Sequence, residues 1–391
     1  MGRLAHNDYH ERNVIHLDEK IFLQDLKTIV NMESGSSIPG GTSKVAAWLK
    51  GEFEKSSLWH TEYIDVGALG GPCLKVTGGK GEKYRIFLMA HMDTVFPEGT
   101  LAERPFRRDG DFYYGPGCHD MKGGDIFALH LARHLETKPD LLENHSVCFL
   151  FNPDEELSSI YSRPVIEGLA GKSDYAFVLE PSMEENTLVK GRRGVARFYL
   201  DFRGIASHAG SAPEKGASAI HEFIRWGEIL LKENKPCEGT NLNIGMVQGG
   251  TAANIISDHC SCSVDMRMTD IRKGRHLEEL LHDLADRPFD LRVLTTIKGG
   301  ITRPPYGNPD MEDLLSREIS AYFALKGKDI RWKTAGSASD GNFTSALGVP
   351  TIDALGPMGG GAHTPGEYGV VHDIVPKFEI LCELAEYVLG K

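Results

Sequence analysis

Hydrophobic and polar positions follow a helical period in some segments of the chain and form extended or apolar runs in others. The helical period predicts helices at residues 18–30, 43–55, 122–135 and 163–169. The extended runs predict strands at residues 61–66, 84–89, 147–152 and 174–180. Because helices and strands alternate along the chain, this part of the sequence indicates an α/β fold.

The pattern changes between about residue 190 and residue 300. Strands at 194–202, 243–248, 260–268 and 291–296 combine with helices at 213–231 and 272–284 in the order βαββαβ. That order is typical of a small α+β (ferredoxin-like) domain. Beyond residue 300 the first pattern resumes, with helices at 311–326 and 375–389 and a strand at 349–355. We therefore predict a discontinuous outer domain, 1–190 and 301–391, that contains an inserted domain, 191–300.

Length and charge restrict the class of protein. The 391 residues exceed what one hydrophobic core usually organises, which agrees with two domains. No apolar run approaches the roughly 20 residues of a membrane span, and the polar N-terminus lacks the apolar centre of a signal peptide, so we expect a cytoplasmic protein. A net charge of −12 disfavours nucleic acid and anionic membranes as partners. The seven cysteines form no paired framework and are expected to be reduced.

Candidate chemistry begins where the apolar run 84–89 ends. His91 and Asp93 are two residues apart, so on a strand both side chains leave the same face. A metal-bound imidazole needs its other ring nitrogen held, often by a carboxylate. The pair fits a metal ligand and its support, and it fits a polar strand end with a turn equally well. In the N-terminal tail, His6 and His10 are interpreted as solvated residues.

Asp120 stands in a glycine-rich turn that leads into the helix predicted at 122–135. It fits a helix N-cap. It also fits a carboxylate that bridges two metal ions, one oxygen for each, since glycines let the backbone approach closely.

Three consecutive carboxylates, Asp154, Glu155 and Glu156, follow the strand at 147–152. In a pocket they would repel one another unless a cation or a proton neutralised them, whereas a solvated acidic turn needs neither. Adjacent side chains point in different directions, so one glutamate could bind metal while the other acts as a general base.

Two further candidates complete the set. Glu180 ends the next predicted strand, and His363 follows the glycine run 359–361. In open α/β sheets, ligand sites lie beyond the carboxyl ends of the strands. We therefore expect His91, the glutamates at 155 and 156, and Glu180 to converge there.

The segments HMDTV, GPGxxDxKGG, PDEE and SHAG together resemble the aminoacylase and glutamate carboxypeptidase family of dinuclear zinc hydrolases, the M20-type metallopeptidases. The likeness is greatest to bacterial folate-cleaving glutamate carboxypeptidases, and it extends from residue 31 to His363. It implies a zinc-peptidase-like catalytic domain with a mixed central sheet flanked by helices. It also implies that one zinc is bound by His91 and Glu180 and the other by Glu156 and His363, with Asp120 as the bridge, Glu155 as the base and Asp93 orienting His91.

The resemblance also implies a lid and dimerisation role for the inserted domain. His208, in the segment SHAG, matches a histidine that reaches the partner subunit's active site in a homodimer and stabilises an oxyanion there. Asn254 and Arg267 match positions that hold the substrate and its carboxylate. A forked guanidinium suits that task, and Arg303 is a weaker candidate for it.

These assignments predict hydrolysis of an amide by a metal-bridging hydroxide, with Glu155 as general base. The expected substrate is a small molecule or short peptide whose amide adjoins a carboxylate-bearing amino acid, as in a glutamate-type carboxypeptidase or an N-acyl-amino-acid deacylase. The alternatives are a hydrolase of another small amide or aromatic amine, and a non-catalytic homologue. Zinc is the expected metal, although manganese or cobalt would suit the same ligands.

Two departures from the family pattern accompany the resemblance. Cys118 and the bulky His119 precede the bridging aspartate, where a small residue is usual. The segment 157–161 is less rich in glycine than expected, which predicts a bulkier pocket wall. The resemblance further predicts a cis peptide bond between Asp120 and Met121.

Overall fold

Two compact units make up the described chain in a computed structural model that covers residues 17–81, 83–307 and 309–391. The tail histidines His6 and His10 lie outside these residues. Unit 1 contains the described residues up to 190, together with 309–333 and 339–391. Unit 2 contains Gly191–Gly307 and Thr334–Ala338. The second unit thus extends past the predicted boundary at residue 300.

Unit 1 is built on a six-stranded sheet in the order β1-β2-β6-β3-β7-β17. These strands are β1 (Trp59–Ile64), β2 (Cys73–Gly79), β3 (Tyr84–His91), β6 (Ser146–Asn152), β7 (Ser173–Val178) and β17 (Thr351–Ile352). The strands β6, β3, β7 and β17 run parallel to one another. Strand β2 is antiparallel to both of its neighbours, β6 and β1. Every residue of β6 is buried, as expected for a strand covered on both faces. The predicted α/β class with a mixed sheet is confirmed.

A second sheet of unit 1 has the order β4-β5-β19-β18-β8. It comprises β4 (Arg107–Asp109), β5 (Phe112–Tyr114), β8 (Pro181–Ser182), β18 (Gly356–Gly360) and β19 (Tyr368–Val370). The hydrophobic pattern predicts none of these strands. Each has at most five residues, which is too short for a two-residue period to stand out.

Several of the helices described in unit 1 pack on the six-stranded sheet. The helices of this unit are α1 (Glu19–Val30), α2 (Gly41–Phe53), α3 (Thr100–Glu103), α4 (Lys122–Glu136), α5 (Pro139–Asn144), α6 (Arg163–Ala170), α9 (Pro309–Leu325), α10 (Gly341–Ala346) and α11 (Ile374–Leu389). Asp18 caps α1 by accepting a hydrogen bond from the backbone N–H of Lys20 at 2.8 Å. Nearly all of α4 is buried, so this helix forms the centre of the core.

Unit 2 contains a four-stranded antiparallel sheet in the order β12-β14-β10-β15, with helices α7 (Ala219–Leu230) and α8 (Ile271–Asp286). Its strands are β10 (Gly194–Arg203), β12 (Thr240–Gly249), β14 (His259–Met268) and β15 (Leu294–Arg303). The elements follow the predicted order βαββαβ. Helix α7 starts later than predicted because Ser218 caps it, accepting from the N–H of His221 at 3.2 Å.

The shorter strands are β9 (Thr187–Arg192) and β16 (Arg331–Ala335), which pair with each other, and β11 (Ser207–His208) and β13 (Ile255–Ile256), which pair in unit 2. The strand predicted at 349–355 is reduced to β17. None of the seven cysteines, all in the described part of the chain, forms a disulfide. Among the described residues, no helix combines the length and apolar composition that a membrane span requires.

Candidate metal centre

The carboxyl ends of three parallel strands of unit 1 carry the first group of candidate ligands. His91 is the last residue of β3, and in the sheet it pairs with Asn152, the last residue of β6. Glu180 follows β7, whose residue Val178 pairs with Met89 of β3. These strands are adjacent and parallel, so their ends meet at one edge of the sheet.

Asp120 lies between the two histidines predicted to bind metal. Its Oδ1 is 3.2 Å from His91 Nε2, and its Oδ2 is 3.2 Å from His363 Nε2. Each carboxylate oxygen therefore faces a different imidazole, which is the arrangement a bridging ligand requires. The peptide bond from Asp120 to Met121 is cis, as the family resemblance predicts.

The remaining candidate ligands surround this carboxylate. Glu156 Oε2 is 3.2 Å from His363 Nε2, and Glu180 Oε1 is 3.8 Å from His91 Nε2. Ligand atoms of His91, Asp120 and Glu156 lie within 4.8 Å of one another, and so do those of His91, Glu155 and Glu180. The structure thus brings together all five predicted ligands and the predicted base.

Asp93 holds both the histidine and the glutamate loop. His91 Nδ1 lies 3.2 Å from Asp93 Oδ1 and 3.0 Å from the backbone oxygen of Asp93. The Asp93 carboxylate also accepts the N–H of Glu155 and the N–H of Glu156, each at 3.1 Å. Ser36, which the sequence did not single out, donates its hydroxyl to Asp93 at 2.7 Å. One buried carboxylate therefore fixes the direction in which three candidate site residues point.

The electrostatics of the cluster suit cations. Burial lowers the pKa of His91, but hydrogen bonds to Asp120 and Asp93 outweigh burial and raise it. Hydrogen bonds to Asp120 and Glu156 raise the pKa of His363 to about 10. Burial raises the pKa of Glu156, and its Oε1 has no hydrogen-bond partner among the described residues. A buried carboxylate oxygen without a partner beside imidazoles and acids fits ligation of divalent ions.

The two residues that precede Asp120 are buried. His119 is buried, and burial lowers its pKa to about 4. A Cβ added to Gly359 would lie 2.6 Å from His119 Nδ1, so this glycine makes room for the imidazole ring. Cys118 Sγ contacts the backbone oxygen atoms of Tyr113 and Glu367 at 3.9 and 3.8 Å. Both side chains therefore lie inside unit 1, and neither ring nitrogen of His119 has a hydrogen-bond partner among the described residues.

Glu367 is a site residue that the sequence reasoning missed. Its carboxylate is buried and accepts three backbone N–H groups from the loop that carries Asp120. Burial raises its pKa to about 7. The available signal was a carboxylate only four residues after His363, which alone is too common to be informative.

The predicted residues of unit 2 form two groups. His208, on β11, is exposed, and its Nδ1 accepts the N–H groups of Gly210 and Ser211, each at 3.1 Å. The ring proton therefore belongs on Nε2, which becomes a hydrogen-bond donor. Asn254 is close by, since its backbone oxygen accepts the N–H of Ala209 at 2.9 Å.

The two candidate arginines lie elsewhere in unit 2. Arg267, on β14, is paired with Asp265 through Nε at 2.9 Å and Nη2 at 3.3 Å. A substrate carboxylate at this guanidinium would therefore compete with Asp265. Arg303, at the end of β15, is buried.

Comparison with known proteins gives one consistent family. The profile of "Peptidase family M20/M25/M40" matches residues 87–387. Carboxypeptidase G2 of Pseudomonas sp. (strain RS-16) is 28% identical over 358 residues, which are 89% of this chain and 84% of that protein. Acetylornithine deacetylase of Proteus mirabilis is 30% identical over 77% of this chain and 79% of its own. The crystal structure of a tripeptidase from Staphylococcus aureus superposes with a TM-score of 0.76 at 20% identity, covering 96% of this chain and all of that one.

Proposed function

Because the chain belongs to peptidase family M20/M25/M40 and is therefore a hydrolase acting on C–N bonds, we propose that it cleaves an amide next to a carboxylate-bearing amino acid, using two divalent metal ions. The enzyme is then either a glutamate-type carboxypeptidase or an N-acyl-amino-acid deacylase. The observation that supports the proposal most directly is the position of Asp120, whose two oxygens face two different histidines.

In this proposal, His91 and Glu180 would hold one ion, Glu156 and His363 would hold the other, and Asp120 would be a ligand of both. Such ions, when bound, lower the pKa of water and polarise a carbonyl group. The ligand chemistry suits zinc best, and manganese or cobalt would also fit. Asp93 keeps His91 in the tautomer and orientation that a ligand needs, through contacts of 3.2 and 3.0 Å.

Glu155 is the residue that moves the proton. Its backbone N–H is fixed by Asp93 at 3.1 Å, and its carboxylate lies with those of the proposed ligands. It accepts a proton from the attacking water and delivers that proton to the departing amine nitrogen. The water oxygen joins the acyl carbon as the C–N bond breaks. One water proton ends on the amine and the other on the carboxylic acid or, once the acid ionises, in solution.

The substrate contacts in this proposal are those that the family resemblance assigns to residues of unit 2. His208 of one subunit donates from Nε2 to the oxyanion that develops on the carbonyl in the partner subunit's site, since its Nδ1 is already used as an acceptor. Asn254 holds the substrate, and Arg267 or Arg303 recognises its carboxylate. Either arginine offers a planar fork of donors that matches a carboxylate.

We also propose a homodimer through unit 2. Strand β12 is at an edge of the four-stranded sheet, where its outer hydrogen-bonding groups face no other strand of that sheet. Met246 and Val247 on this strand are 60% and 49% exposed. Light scattering on the purified protein tests this: the mass should be twice 43.1 kDa and should fall to that of one chain in Val247→Lys. A monomeric parent would contradict the proposal.

The substrate class is tested with the zinc-loaded protein and matched pairs of compounds. Each pair consists of a carboxylate and its carboxamide, drawn from N-acyl amino acids, folyl and peptidyl glutamates, and dipeptides. We expect release of the amine from the carboxylate member, loss of that activity with a chelator, and little turnover of the carboxamide. Equal turnover of both members, or activity on aromatic amides alone, would contradict the proposed specificity.

A further inference from the structure

Glu367 links the two loops that carry the proposed metal ligands. It lies four residues after His363, in the turn between β18 and β19, and its side chain is 2% exposed. The residues that it contacts, 117–120, are about 250 positions earlier in the sequence. All of them belong to unit 1.

Three hydrogen bonds make this link. Oε1 of Glu367 accepts the N–H of His119 at 2.8 Å and the N–H of Asp120 at 2.9 Å. Oε2 accepts the N–H of Gly117 at 2.9 Å. Three N–H groups divided between its two oxygen atoms fix the carboxyl group in position and rotation, and each bond is strongest when the group is ionised.

The Asp120 loop depends on this carboxylate for its own backbone. The loop forms two internal bonds at its ends, from Cys118 N–H to Gly115 at 3.1 Å and from Lys122 N–H to Gly117 at 2.9 Å. Glu367 accepts three other N–H groups of the loop, those of Gly117, His119 and Asp120. Without Glu367 they would be buried with no acceptor, which is costly, and the loop would relax into another conformation.

We propose that Glu367 is a positioning residue that sets the distance between the Asp120 loop and the His363 loop, and thereby the affinity of the metal pair. The inference rests on the proposed function, because it takes Asp120 and His363 as metal ligands. Glu367 contacts the backbone of Asp120 and is not one of the proposed metal ligands. Its effect passes through the placement of the Asp120 carboxylate between the two imidazoles.

Glu367→Gln tests the proposal. The glutamine oxygen can accept two of the three N–H groups, while its NH₂ faces the third, donor against donor. We expect zinc affinity, measured by competition with a chromophoric chelator, to fall about 10- to 100-fold, the usual effect of losing a partner behind a metal ligand. The visible spectrum of the cobalt-loaded protein should also change, because the ligand geometry changes.

Glu312→Gln is the matched control, the same substitution at another buried carboxylate of unit 1. Glu312 accepts the hydroxyl of Ser345 at 2.9 Å and lies on α9. The zinc affinity and the cobalt spectrum of the Glu312→Gln variant should equal those of the parent.

If Glu367→Gln does not fold, Glu367→Asp replaces it as the test. This variant keeps the charge, shortens the side chain and should weaken zinc binding about 10-fold on the same reasoning.

The outcomes separate this inference from the proposed function. A Glu367 variant with parental zinc affinity and cobalt spectrum would overturn the positioning role while the parent still binds two ions and cleaves amides. An equal loss in Glu312→Gln would overturn it too, by showing that any buried charge change has this effect. A parent that binds no metal pair would instead refute the proposed function.

Discussion

Two adjacent glutamates at the end of β6 differ in their surroundings. Glu156 Oε2 contacts His363, and its Oε1 is buried without a partner in the described part of the chain. Glu155 lies instead with His91 and Glu180. A short 3-10 turn, Glu155–Leu157, separates the directions of the two side chains while Asp93 holds both backbone N–H groups. The two carboxylates thus have different surroundings, and the proposed function assigns ligation to Glu156 and proton transfer to Glu155.

We predict that Glu155→Gln retains its metal and loses turnover by at least about 100-fold, because an amide cannot accept the proton. Glu156→Gln is the control, and it should lose about one metal equivalent. Metal content by atomic spectroscopy and kcat on the best substrate check both variants. Metal loss in Glu155→Gln with retention in Glu156→Gln would reverse the two assignments.

A second prediction concerns Glu312, whose pKa is raised by burial from 4.5 to about 8. Between pH 4.5 and about 8 the native state keeps a proton on Glu312 that the unfolded state has lost. The free energy of unfolding is therefore highest below pH 4.5 and falls as the pH rises through this range. The slope is at most about 1.4 kcal/mol per pH unit. Glu312→Gln removes this loss, so its free energy of unfolding relative to the parent should increase from pH 5 to pH 8. Urea titrations at three pH values measure it, and a constant difference would contradict the assignment.

At the scale of elements, helix α4 approaches its neighbours through glycine. A Cβ on Gly124 would lie 2.2 Å from the backbone oxygen of Leu179, the residue before Glu180. Backbone cannot rotate away as a side chain can. The close approach therefore brings the start of α4, just after Asp120, against the end of β7 and contributes to the convergence of the ligands.

Gly124→Ala should consequently destabilise unit 1 by about 1–3 kcal/mol, the usual cost of overpacking. Gly51→Ala is the matched control, since Gly51 is also helical and an added Cβ would meet nothing within 4 Å. That variant should gain about 0.5–1 kcal/mol from its reduced freedom in the unfolded chain. Denaturant midpoints of the two variants should move in opposite directions, and equal shifts would show that the contact is not tight.

At the scale of the whole molecule, each unit has its own hydrophobic core. Phe22, Phe127 and Phe149 belong to the core of unit 1, and Phe202 and Trp226 to that of unit 2. All five ligands of the proposed metal pair are in unit 1. A ligand that binds only the native state stabilises the part that it holds, by about 2.7 kcal/mol at 100 times its Kd.

Zinc should therefore raise the unfolding midpoint of unit 1. Of the four tryptophans, only Trp226 is in unit 2, while Trp48, Trp59 and Trp332 are in unit 1. In Trp226→Phe, tryptophan fluorescence reports unit 1 alone, and its midpoint should rise with zinc and fall with chelator. The same titration in His363→Ala is the control and should show a smaller rise. An unchanged midpoint in Trp226→Phe would place the metal outside unit 1.

The sequence by itself determined the elements with long, regular patterns and the residue types of the site. Helices such as α1 and α11 and buried strands such as β6 follow from periodicity, because each has enough residues for a period to show. The identity of His91, Asp120 and His363 as candidates came from residue types and family motifs. That these residues meet at one site could be predicted from the sequence only for those that follow adjacent strands of the sheet, such as His91.

Tertiary structure alone decided the contacts between distant segments. The short strands β18 and β19 owe their existence to pairing with β5 and β8 rather than to any pattern of their own. Glu367 binds a loop about 250 residues away, and Ser36 binds Asp93 across 57. Arg267 is held by Asp265. Hydrogen bonds of this kind depend on which backbone groups remain without partners after folding, and the order of residues in a chain does not contain that information in any local form.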